Sequence, residues 1–279
     1  MSGSDAHSND ADDRLRVVEE ILGRGSPIDA IGALSRSFRP PIRSLEKLER
    51  SALGLDANVF LRMGRRNLSD VPDYLGSQHT APLILPGQVV QEFWNNQLSS
   101  IESIAKNIEK SFRAFDADLT KMEDAAPELR EDGFRLEMKR LLGQFHQEHG
   151  YLYDDATLRQ MQSIIDMLKE KAKVPFVPRE RFQHLAAWRK RTKTPPGFKD
   201  DSDGDFYVWS DFLYGLVSAS AEGASFDQAV LVTNDVKPDW SRGGIPHPIL
   251  SAEVAAACNV PFEVWTLDEV ATAIRASRQ

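Results

Sequence analysis

The sequence predicts an α/β protein built on a parallel sheet. Two observations carry this. Four short apolar runs, 52–61 (ALGLDANVFL), 81–86 (APLILP), 229–235 (AVLVTND) and 262–267 (FEVWTL), are separated by segments of helical spacing. Strands that alternate with helices favour parallel pairing through crossover connections. The chain is also long enough for a substantial core, with 279 residues, 41% hydrophobic and 27% charged. That composition excludes a disordered chain or a fibre.

Residues 1–13 carry Asp5, Asp10, Asp12 and Asp13 and no Lys or Arg, which reads as a solvated tail. Residues 14–50 read as a helical extension broken at Gly23, Gly25, Pro27 and Pro40-Pro41. Within it Leu15, Val18, Ile21 and Leu22 share one helix face, as do Ile42, Leu45 and Leu48. A main domain is expected over 51–279. Its first strand ends at or just after Asp56, and APLILP is the second, followed by a helix from about Gly87 that carries Glu92. From about 98 to 192 no strand-like run stands out, and three or four amphipathic helices are expected as one insertion. TPPGFKDDSDGD (194–205) is a loop by composition, and FYVWSDFLYGLVSAS a helix. Strand 229–235 precedes the helix HPILSAEVAAAC, and FEVWTL precedes the closing helix DEVATAIRAS.

Net charge is −8, which excludes a general basic coat but not a local basic groove. Cys258 is the only cysteine, so no intrachain disulfide forms, and a reducing cytoplasm fits. No apolar run is long enough to span a bilayer, so no membrane partner is expected. The first residues lack the basic-then-apolar order of a signal peptide.

Among 42 acids, position is what discriminates. Ligands of open parallel sheets bind outside the carboxyl ends of the strands. Asp56 and Asp235 each end a strand, Glu92 lies early in the helix after APLILP, and Asp205 opens the helix after the 195–204 loop. Carboxylates brought together repel and raise each other's pKa. A hard cation such as Mg²⁺ or Mn²⁺ removes that cost and activates water for phosphoryl chemistry. Each acid also has a structural reading: a strand end for Asp56, a solvated helix face for Glu92, a helix N-cap for Asp205 and an Asx-turn for Asp235.

The segments GLDANVFL, LPGQVVQEFWNN, PPGFKD…GDFYVWSDFL and VLVTNDVKPDW followed by HPILSAEV resemble the PIN-like nucleases, in particular a bacterial branch with a long helical insertion. The resemblance covers about 50–110 and 190–275. It implies a three-layer α/β/α PIN-like sandwich with a central parallel sheet. It also implies a metal-dependent endoribonuclease that leaves 5′-phosphate and 3′-hydroxyl ends. Matched by motif, Asp56, Glu92, Asp205 and Asp235 are its catalytic and metal-binding acids, served by Mg²⁺ or Mn²⁺. Asn58, Thr233 and Asn234 would orient them, and Lys199 would offset transition-state charge. The third acid is the least defined, since Asp200, Asp201, Asp203 and Asp211 crowd it; Asp205 is chosen for its Gly-Asp-aromatic context, with Asp201 as its chief competitor.

Residues 179–199 carry seven cations against Glu180 alone. Arg189, Lys190, Arg191 and Lys193, with Lys237 beyond Asp235, read as phosphate contacts for RNA. The same pattern also fits a solvated helix face. The family's habits suggest a toxin or defence effector with a protein inhibitor or defence partner, and the sequence is compatible with an oligomer without specifying one. Two other classes stay open: a non-catalytic PIN-like module that binds RNA or protein, and a phosphotransferase with Asp56 as nucleophile. The latter wants Asp-x-Asp, and here the third position is Asn58.

Overall fold

A computed structural model describes residues 4–38, 43–63, 68–125, 132–149, 155–235 and 237–276. Pro40, Pro41 and Ile42 lie outside the described residues. Helix α1 spans Ser4–Gly23, so residues 4–13 belong to a helix and not to a tail. Local ion pairs explain the correction: Asp10 meets Arg14 four residues on at 2.5 Å, and Asp13 meets Arg16 at 2.9 Å. Buried Val18, Ile21 and Leu22 anchor its other face. Helix α2 (Ala30–Ser37) is capped by Asp29 and α3 (Leu45–Glu49) by Ser44.

Strand β1 (Ser51–Leu55) is wholly buried and stops at Asp56, whose backbone carbonyl already accepts from Val59 and Phe60 at the start of α4 (Ala57–Met63). The rest of ALGLDANVFL is therefore helix. Then come α5 (Asp70–Ser77), β2 (Leu83–Ile84) and the 39-residue α6 (Gly87–Ala125). Helices α7 (Asp132–His149) and α8 (Asp155–Lys171) follow. Strand β3 (Ala172–Lys173) and helix α9 (Arg179–Arg191) precede α10 (Gly204–Ala221). Strand β4 (Gln228–Val232), the hairpin β5 (Ser241–Arg242) and β6 (Ile245–Pro246), α11 (Pro248–Cys258), β7 (Phe262–Trp265) and α12 (Leu267–Ala276) complete the chain. Gly243 and Gly244 both have positive φ, which a two-residue hairpin turn of this hand requires. At α12, Thr266 and Glu269 exchange side-chain-to-backbone bonds in a capping box.

The sheet is parallel throughout, in the order β3-β2-β1-β4-β7. The chain winds from β1 outward on one side and then restarts at β4 on the other. The switch point thus lies between β1 and β4. Helix α10 packs with α1 and α11, and α12 packs with α3 and α5. Helices so flank the sheet, consistent with a three-layer sandwich. Gly54 of β1 lets α10 close in, since a Cβ there would meet the Phe212 ring at 2.5 Å. Trp209, Phe212, Phe262 and Trp240 form the adjoining aromatic core.

The chain divides into two compact units, residues 1–93 with 163–279 and residues 94–162. The helical insertion is therefore shorter than the expected 98–192, because β3 extends the sheet and α9 packs on α1. Within the smaller unit, α6 and α7 meet through an edge contact of Phe115 and Phe134 at 6.0 Å, and Arg135 donates to Thr120. No described helix is long and apolar enough to cross a membrane.

Candidate active site

The switch point is where the acids gather. Asp56 sits between β1 and α4, and its backbone N–H donates to Val232 at the end of β4. Its Oδ1 accepts from Ala57 N at 2.6 Å, while Oδ2 accepts from Asn58 Nδ2 at 2.6 Å and from Thr233 Oγ1 at 2.5 Å. Asn58 Oδ1 in turn accepts from Asn234 N at 2.9 Å. Asn58, Thr233 and Asn234 thus fasten the ends of β1 and β4 together around one carboxylate. Burial pushes the Asp56 carboxyl above its usual range; the Thr233 and Ala57 bonds oppose this and nearby Asp235 adds to it.

Asp235 lies three residues beyond β4. Its Oδ1 accepts from Lys237 N at 2.8 Å, an Asx-turn that folds Lys237 back over the site. Lys237 Nζ then reaches Asp200 Oδ2 at 2.7 Å, Asp235 Oδ2 at 3.2 Å and Asp205 Oδ2 at 3.3 Å. Burial works against its charge, but these three carboxylates together raise its pKa. Asp205 is the second residue of α10 and also accepts from Trp240 Nε1 at 3.0 Å. Burial, then a hydrogen bond with Asp200, pushes Asp205 up to about 7. Burial acts the same way on Asp200, but bonds from Asp205 and Lys237 outweigh it and hold Asp200 low. Of the two, Asp205 is thus the carboxyl that more readily takes up a proton.

Glu92 projects from α6 toward the same place. Gln88 donates to its Oε1 at 3.1 Å, and a Cβ on Gly204 would collide with that oxygen. Burial raises its pKa, and Asp56 and Asp200 add to the effect. Gly204 therefore provides the space in which Glu92 meets the start of α10.

All four acids expected from the sequence come to this crevice. Asp200, which was not singled out, joins them; a five-acid loop gives no order of preference by composition. Asp201 is exposed, and Lys190 takes its carbonyl. Asp211 stays out of the cluster: it is buried, paired with Arg179 at 2.8 Å, and accepts from Gln88 N at the start of α6. It acts on the site only by holding the helix that carries Glu92.

The basic strip is largely not a nucleic-acid surface. Arg189 is 1% exposed and pairs with Glu253 at 2.7 Å, and Glu253 also takes Arg24 and Trp209 Nε1. An arginine buried in that network cannot reach a phosphate. Arg181 pairs with Glu19 and Asp12 of α1, and Arg179 with Asp211. Lys190 is half-buried against the 201–203 loop. Arg191, Lys193 and Lys199 are exposed, and Lys199 makes no described contact with the acids. Tyr207 lies against Arg179, its ring 4.4 Å from the guanidinium carbon, and Trp240 is core.

Among the described residues, no three or more His, Cys, Asp or Glu side chains stand in metal-ligand geometry. The donor chemistry nevertheless fits a hard cation: every ligand is a carboxylate oxygen, and three of the acids already surround one positive group. The acids are spaced around an ammonium and not drawn onto one point. No protein-family model, curated protein or solved structure matches this chain.

Proposed function

We propose that the chain is a metal-dependent PIN-like nuclease that hydrolyses RNA phosphodiester bonds. The observation that supports this is the convergence of Asp56, Glu92, Asp205 and Asp235 at the switch point of a parallel sheet. When bound there, Mg²⁺ or Mn²⁺ supplies a Lewis acid for the phosphoryl group and lowers the pKa of water. Those four carboxylates would hold it, with Asp200 beside them. Thr233 and Asn58 fix the Asp56 carboxylate, so little ordering is left to be done when a ligand arrives. Lys237 supplies positive charge beside the carboxylates. A cytoplasmic role as a toxin or defence effector rests on the sequence resemblance alone.

One observation favours a second reading. Lys237 already pairs with three of the acids, so the cluster has a counter-charge without a metal. The deciding experiment is cleavage of labelled single-stranded RNA and DNA in Mn²⁺, Mg²⁺ or EDTA, beside Asp235→Asn. Metal-dependent cutting lost in the variant supports the nuclease. Absence of both cutting and calorimetric metal binding supports the module.

A further inference from the structure

We propose that a groove beside the acid cluster is the seat of the single-stranded RNA flanking the scissile phosphate. The inference rests on the nuclease reading and adds to it where the strand lies. The groove encloses about 510 Å³ and is walled by Phe38, Phe198, Lys199, Pro238, Arg242 and His247 among others. Two of these residues adjoin the cluster along the chain: Lys199 precedes Asp200, and Pro238 follows Lys237. The groove wall is therefore continuous along the chain with the segments that carry Asp200 and Lys237.

Its charge is what selects the occupant. In a chain of net charge −8, no described Asp or Glu lines this groove. Lys199 and Arg242 are both exposed and, unlike Arg179, Arg181 and Arg189, have no described ion pair. The larger cavity elsewhere, near α2 and β7, is lined by Asp29 and Glu263 as well as Arg36 and Lys47, and lacks this bias. Two unpaired cations fit phosphates, and Phe198 with the 79%-exposed Phe38 offer rings on which bases can stack. His247 Nδ1 accepts from Ile249 N, which leaves Nε2 as the ring's N–H donor.

The test is anisotropy of a labelled oligouridylate of about ten nucleotides, a length suited to such grooves. Full-length wild type is titrated in EDTA, so that no cutting occurs, at several salt concentrations. Lys199→Glu/Arg242→Glu is expected to weaken binding by more than about tenfold and to lower the salt slope by about 2. Phe198→Ala is expected to weaken it by about five- to a hundredfold. Lys169→Glu, an exposed cation of α8 outside the groove, serves as the control and should change affinity less than about twofold. All of these positions lie at the surface or partly so, and thermal melts confirm folding. Unchanged affinity in the double variant overturns the groove. So does a loss matched by Lys169→Glu, which would mean diffuse attraction. Metal-dependent cleavage that persists at wild-type rate in the double variant sinks the groove and leaves the nuclease standing. Loss of cleavage in Asp235→Asn with normal oligonucleotide binding keeps both.

Discussion

Lys237 Nζ lies 3.3 Å from Asp205 Oδ2, and the same ammonium touches Asp200 and Asp235. The Asx-turn at Asp235 puts it there: the carboxylate that Lys237 neutralises also folds its backbone inward. One short loop thus carries both an acid of the site and the cation that keeps the acids together. This cation is poised to compete with a divalent ion for the same oxygens.

Removing that competitor should reveal it. Unit charges about 4 Å apart interact by about 4 kcal/mol at an effective dielectric of 20, so partial relief exceeds a tenfold effect. Lys237→Met should tighten Mn²⁺ binding by about tenfold or more in calorimetry. It should also lower the melting temperature in EDTA, where three carboxylates are left to repel. Weaker Mn²⁺ binding would show instead that Lys237 assembles the site.

The Asp205–Asp200 pair makes stability pH-dependent. A carboxyl raised from 3.8 to about 7 keeps its proton in the folded chain where the unfolded chain has lost it. Across that window the folded state binds more protons, so stability falls as pH rises from about 4 to about 7. Asp205→Asn removes this loss while still donating to Asp200. In EDTA the variant should match wild type near pH 4 and exceed it near pH 8, by between about 1 and 4 kcal/mol in urea titrations. A parallel pair of pH profiles would refute the raised carboxyl.

Much of this site was legible from the sequence because strand ends mark it. Asp56 and Asp235 follow short apolar runs that read as buried strands, and Gly87 marks the start of the Glu92 helix. What was illegible depends on contacts distant in sequence. Arg189 sits in the run Arg-Lys-Arg and reads as a phosphate contact; only the approach of Glu253, 64 residues on, makes it core. Strand β3 is two residues long and exists because it pairs with β2, not because of its own pattern. Lys237 reads locally as a phosphate contact, since nothing nearby in sequence announces that three acids surround it.

Arg189 then gives a clean contrast with its neighbour. Arg189→Ala leaves Glu253 in the core with Arg24 as its remaining cation, and should cost about 3–5 kcal/mol of folding stability. Arg191→Ala, at an exposed position two residues on, should stay within about 0.5 kcal/mol. Chemical denaturation of both variants measures the difference. Equal small losses would return Arg189 to the surface strip.

Gly204 tests whether Glu92 belongs to the site. As the first residue of α10, glycine is a poor choice for a helix, and alanine would ordinarily gain up to about 1 kcal/mol there. Here the added methyl would collide with Glu92 Oε1. The carboxylate sits on a side chain that can swing toward solvent, so the fold has a cheap way out that the site does not. Gly204→Ala should therefore leave the melting temperature within a few degrees of wild type while weakening Mn²⁺ binding by about tenfold, as removal of one carboxylate ligand would. Glu92→Gln should weaken it similarly, and the double variant should add little to either, because both changes act on the same carboxylate. Additive losses would mean that Gly204 acts through the backbone of α10 and that Glu92 contributes separately.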